Sequence, residues 1–81
     1  MKRILRFTAN WCNPCKQLKE NLDRAELKVP IEVFDVDKNV EISNDYGIRN
    51  LPTMILMDGN NEISRVSGVK TPRQLKEWVG E

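Results

Sequence analysis

The stretch NWCNPCKQLK, residues 10–19, holds both cysteines of an 81-residue chain. Cys12 and Cys15 stand three positions apart, with Pro14 between them and a helical pattern just beyond. Proline is tolerated in a helix only in its first turn, where its missing N–H has no intrahelical partner. Pro14 therefore marks a helix start at the cysteines. From there to residue 26, Cys15, Leu18, Leu22 and Ala25 recur along one face, while Lys16, Lys19, Glu20, Asp23 and Arg24 fall mostly elsewhere. Two thiols so placed admit a redox centre, a metal site, a structural staple or incidental core cysteines.

The flanks supply the architecture. RILRFT, residues 3–8, alternates, with Leu5 and Phe7 on one side and Ile4 on the other, and reads as a strand. IEVFDV, residues 31–36, reads as a second strand after Val29-Pro30. Strand, helix and strand at this spacing make a βαβ unit, so the two strands should be parallel with a right-handed crossover. Asn39 suits the cap of a short helix through Tyr46, and Gly47 its C′ position. TMILM, residues 53–57, is a buried strand, DGNN a turn, and EISRVS an antiparallel return. In TPRQLKEWV, Thr71 as N-cap, Pro72 at N1 and Gln74 at N3 form a capping-box pattern, with Leu75, Trp78 and Val79 on the buried face. The order β-α-β-α-β-β-α predicts an α/β fold with a four-stranded mixed sheet flanked by helices. A ligand site belongs at the carboxyl end of the first strand, where the first helix begins. The cysteines fall there.

Length and charge narrow the function. A chain of 81 residues is expected to form a single domain, 1–81, with a thin core. The net charge of +1, with both signs interleaved, argues against nucleic acid or an anionic membrane as the main partner. MKRILRF begins like a signal peptide, but Arg6 interrupts the apolar run, and no segment has the length of a membrane span. The expectation is a cytoplasmic monomer, in a compartment where thiols stay reduced. Zinc needs about four ligands. With two cysteines and no histidine, that reading would require aspartate ligands or a dimer.

WCNPCK closely resembles the active-site segment of the thioredoxin family, and YGIRNLPT, residues 46–53, resembles its cis-proline segment. Gly68 matches a third family position, and the resemblance spans about residues 4–79. It implies a thioredoxin-like fold of glutaredoxin size, lacking the extra N-terminal strand and helix of full-size thioredoxins. It also implies thiol–disulfide exchange. Cys12, just before the helix, can face free N–H groups and the positive end of the dipole, which favour a thiolate nucleophile. Lys16 adds a weaker, screened contribution. Cys15, inside the first turn and more buried, is the resolving thiol. Asn13 and Pro14 lie between them, where residues tune the potential.

By the same resemblance Trp11 lies beside the nucleophile as part of the docking surface. A cis Leu51–Pro52 bond brings backbone to the cysteine pair, so that Leu51 can pair with an extended substrate. Thr53 follows as in thioredoxins rather than glutaredoxins, and Gly68 and Val69 form the other groove wall. The implied activity is protein disulfide reduction with no bound cofactor, because the dithiol itself carries two electrons. The donor is a thioredoxin-reductase-type flavoenzyme or glutathione. A glutathione-dependent, glutaredoxin-like enzyme is an alternative, although Gly68-Val69-Lys70 stands where glutaredoxins carry a Gly-Gly and acidic segment. A binding subunit of a larger complex is another, although an adaptor would not need an intact cysteine pair.

One position departs from the family. Six residues before the first cysteine, where thioredoxins usually carry a buried carboxylate, stands Arg6. An unpaired buried guanidinium is costly, so Asp35 and Asp37 are its expected partners, with snorkelling to water as the alternative. At about 7 Å from the thiols and an effective dielectric of about 20, its charge would favour a thiolate by roughly 2 kcal/mol. The expected beneficiary is Cys12.

Overall fold

The computed structural model describes residues 1–81. Its elements run β1 (Lys2–Thr8), α1 (Asn13–Ala25), β2 (Ile31–Asp35), α2 (Val40–Asp45), β3 (Thr53–Asp58), β4 (Asn61–Ser67) and α3 (Pro72–Val79). The strands form one sheet in the order β2-β1-β3-β4. β1 pairs parallel with β2, Ile4 opposite Ile31 and Thr8 opposite Asp35, and antiparallel with β3, Arg6 opposite Met54. β3 and β4 form the antiparallel hairpin. This is the thioredoxin-like α/β arrangement read from the sequence.

Alternation along β1 and β3 divides the core between the two sheet faces. On one face Ile4, Met54 and Leu56 pack with Leu18, Leu22 and Ala25 of α1 and with Leu75 and Val79 of α3. On the other, Leu5, Phe7, Ile55 and Met57 pack against Phe34, Ile42, Tyr46 and Ile48. Phe7 stacks on Phe34 with ring centroids 5.4 Å apart and meets Tyr46 at 6.0 Å. α1 and α3 thus cover one face and α2 the other.

The helix ends follow their sequence signals with one exception. Thr71 Oγ1 accepts the Gln74 N–H at 3.1 Å, and Gln74 Oε1 accepts the Thr71 N–H at 2.9 Å, completing the capping box. α1 stops at Ala25, and Glu26 turns out in the left-handed region at φ 52°. Asn39 precedes α2 but its side chain makes no cap bond. Its Nδ2 donates instead to the Asp35 carbonyl at 3.0 Å, because the chain turns back on the end of β2. Within α1, the buried Asn21 donates its Nδ2 to the Lys70 carbonyl at 2.9 Å.

No helix is long and apolar enough to cross a membrane.

Candidate active site

β1 ends at Thr8, and the chain turns through Ala9–Trp11 into α1, with the Cys12 N–H donating to the Ala9 carbonyl at 3.2 Å. Cys12 is the N-cap of α1, in extended conformation, and Pro14 lies in the first turn. An N-cap side chain is placed to accept from the orphan N–H groups of that turn. Here the acceptor is a sulfur: the Cys15 N–H donates to Cys12 Sγ at 3.2 Å. The two cysteines form a disulfide, their Cα atoms 5.3 Å apart.

The two sulfurs face different spaces. Cys12, 5% exposed, lines a groove of about 560 Å³ together with Trp11, Asn13, Pro14 and Leu51, closed on the far side by Val36, Val40, Ile48 and Arg49. Cys15, 1% exposed, lines a separate cavity of about 210 Å³ on the other side, with Arg6, Asn10, Lys16 and Lys19. Ala9 and the two cysteines form a small apolar cluster against Val36 and Leu51.

Trp11 is 68% exposed, and its Nε1–H donates to Asp37 Oδ2 at 2.9 Å. The ring is therefore held as a wall of the groove although little covers it. The Leu51–Pro52 peptide is cis. The Pro52 carbonyl accepts the Gly68 N–H at 2.9 Å, and Gly68 has φ 86°, a conformation that suits glycine. The Asn21 bond to Lys70 anchors the same loop from α1. Val69 is exposed, and neither Gly68 nor Val69 lines the groove that holds Cys12. Thr53 is buried, its hydroxyl bonding the Asn50 carbonyl at 2.6 Å and Ser67 Oγ at 3.2 Å. It braces the proline segment and is absent from the groove lining. Lys16 sits on the Cys15 side, away from Cys12's groove.

Arg6 corrects the expected pairing. It shares the Ile4 face, as the alternation requires, but it pairs with neither Asp35 nor Asp37. Asp35 Oδ1 accepts the N–H of Asp37 at 2.9 Å, and Asp37 is engaged by Trp11. The carboxylate that acts on Arg6 is Asp23 of α1; burial pushes the guanidinium down from its ordinary range, and the Asp23 charge opposes that shift. Arg6 also opens beside Cys15, not Cys12. The residue between sheet and helix is aimed by the packing of α1, which periodicity does not reveal.

The far wall of the groove escaped the sequence reading. Its only trace there was Val40 and Ile48, apolar residues around a helix too short to need many for its core. No cluster of three or more histidine, cysteine, aspartate or glutamate side chains is placed to hold a metal ion.

Known proteins agree with this geometry. The thioredoxin family model matches residues 1–81. Thioredoxin from Rickettsia felis is 32% identical, the alignment covering 96% of this chain and 78% of the relative. Thioredoxin C-3 from Corynebacterium nephridii is 30% identical, with 56% of that longer protein covered. The chain thus spans about half of one relative and about three quarters of the other. Among solved structures, an N21Q mutant thioredoxin from Halobacterium salinarum superimposes with TM-score 0.88 at 26% identity, over 96% of this chain and 71% of that one. Malaria parasite thioredoxin-2, described as a component of protein secretion machinery, reaches TM-score 0.91 at 21% identity over 99% and 82% of the two chains, a likeness of fold. With the paired cysteines at a helix N-terminus and the family match along its whole length, the chain belongs to the thioredoxin family of thiol–disulfide oxidoreductases, which reduce protein disulfides.

Proposed function

We propose that this chain reduces protein disulfides with Cys12 as nucleophile and Cys15 as resolving thiol. The observation that carries the assignment is the separation of the two sulfurs: Cys12 lines the open groove and accepts an N–H from the helix start, while Cys15 lies behind it. An N–H donor and the helix dipole favour sulfur as an anion, and the anion is the attacking species.

In the reduced protein the Cys12 thiolate attacks one sulfur of a substrate disulfide. A mixed disulfide forms, and the first substrate sulfur leaves and takes a proton from water. Cys15 then attacks Cys12 Sγ, the mixed disulfide breaks, and the second substrate sulfur leaves. Two electrons pass to the substrate, and the Cys12–Cys15 bond re-forms. No bound cofactor enters these steps. The substrate lies extended across Trp11 and Leu51, with Pro52 keeping the backbone beside the sulfurs and the Gly68–Val69 loop at one end. Asn13 and Pro14 set the potential. The donor that restores the dithiol is a thioredoxin-reductase-type flavoenzyme, and the protein works as a cytoplasmic monomer.

Insulin reduction tests this reading with three donors in parallel: dithiothreitol, NADPH with a thioredoxin reductase, and glutathione. Turnover with the first two is expected. Turnover with glutathione alone would place the protein with the glutaredoxins. No turnover with any donor would leave a binding role.

A further inference from the structure

The cavity behind the disulfide has an unusual lining. Arg6 comes from β1, Cys15, Lys16 and Lys19 come from α1, and no carboxylate is among the lining residues. Arg6 is 7% exposed. None of the chain's ion pairs or side-chain hydrogen bonds involves it. No fully enclosed side-chain nitrogen or oxygen lacks a partner, so the Arg6 guanidinium, unbonded within the chain, keeps contact with solvent where it lines the cavity. The acting counter-charge, Asp23, is itself bound by Lys19 Nζ at 3.1 Å. The lining beside Cys15 thus carries three cationic side chains and no anionic one.

One group in the cavity acquires a negative charge during the redox cycle. Cys15 is neutral in the disulfide and ionisable once reduced. We propose that Arg6 is the electrostatic partner of reduced Cys15, holding the resolving sulfur as a thiolate and so making the disulfide a stronger oxidant. The proposal rests on the dithiol mechanism above and assigns Arg6 a role within it. The other charged groups around Cys15 are Lys16 and Lys19, of the same sign but solvated, and Asp23, engaged with Lys19. From the remaining side its cluster meets apolar Val36 and Leu51.

Such a thiolate needs no base when it resolves the mixed disulfide. Cys15 S⁻ attacks Cys12 Sγ, the Cys12–substrate bond breaks, and the departing substrate thiolate takes its proton from water. The proton of Cys15 has already gone to solvent when the pair was reduced. Stabilising the thiolate stabilises the reduced form, which raises the potential of the couple. A thiol whose pKa is lowered confers this stabilisation only above that pKa, and it fades as the pH falls through it.

The test compares Arg6→Leu and Arg6→Lys, each in the Cys12→Ser background where Cys15 is the sole thiol. Ultraviolet thiolate absorbance is followed against pH. Arg6→Leu should raise the apparent pKa of Cys15 by about one unit, a tenfold loss of thiolate. Arg6→Lys should retain most of the native value. In the two-cysteine proteins, equilibrium with glutathione should shift toward the disulfide in Arg6→Leu by up to about tenfold, about 30 mV, and parent and variant should converge at low pH. Leucine replaces a buried unpaired charge with apolar volume and should fold; if it does not, Arg6→Gln takes its place. Superimposable titrations for the charged and uncharged variants, or an unchanged potential at every pH, would overturn the proposal. Insulin reduction by the parent is measured alongside: its absence would refute the reductase reading, while the titration still reports on Arg6.

Discussion

At the scale of single residues, the division of labour between the cysteines is the first matter to test. Cys15→Ser should accumulate a mixed disulfide with substrate through Cys12, and Cys12→Ser should trap little; mass spectrometry of the linked peptide decides, and linkage at Cys15 would reverse the roles. Trp11 is held over the groove by one hydrogen bond, to Asp37. Asp37→Ala should free the ring and raise the KM for a protein substrate a few-fold while leaving kcat with a small disulfide nearly unchanged. The Thr53 hydroxyl is buried and bonded at both ends of the proline segment's brace. Thr53→Val should cost about 1–2 kcal/mol in urea unfolding, because the Ser67 hydroxyl and the Asn50 carbonyl lose a partner. These residues differ in legibility. The cysteines and Pro52 announce themselves by spacing and motif. Asp37 does not, since its bond to Trp11 joins positions brought together only when β2 lies beside β1.

Elements meet through a few specific bonds. Asn21 of α1 anchors the loop before α3, the loop whose Gly68 also bonds Pro52. Asn21→Leu should destabilise by about 1–2 kcal/mol through the stranded Lys70 carbonyl, and increased amide exchange at Gly68 would show the loosening. Arg65 of β4 makes two bonds of 2.7 Å to Glu62 and a third of 2.9 Å to the Tyr46 carbonyl, tying the hairpin to the end of α2. Arg65 hydrogen bonds hold the Glu62 carboxyl below its ordinary value. A carboxyl lowered in the folded state adds stability above its unfolded pKa, and loses it as the pH falls through the folded one. The pair is largely solvated, so its worth is about 0.5 kcal/mol. Glu62→Gln should therefore be slightly less stable than the parent at neutral pH and equal to it in acid. An equal deficit at both pH values would mean that the carboxylate charge contributes nothing. Asn21 illustrates what helical periodicity misses. A polar residue on an apolar face reads as an interruption until the loop that it bonds is folded against it.

For the molecule as a whole, stability is small enough that one core residue matters. A chain of this length is held by about 4–12 kcal/mol. Leu18 is fully buried between α1 and the sheet. Leu18→Ala should cost about 2–5 kcal/mol, lowering the urea midpoint with little change in slope. The sequence by itself determined the order of the elements, the helix start at Cys12 and Pro14, the capping box at Thr71, the alternation of Ile4 against Leu5 and Phe7, and the apolar stripes of α1 and α3. Each of those depends on neighbours within a turn or two, or on a period of two or 3.6 residues. Only the tertiary structure decided which side of the disulfide each sulfur faces, that Arg6 opens beside Cys15 and is acted on by Asp23, that Asn39 bonds the end of β2 instead of capping α2, and that Val40 and Ile48 close the groove. Those facts depend on how helices seat against the sheet. A rotation of α1 by a fraction of a turn would change every one of its partners while leaving its apolar period intact.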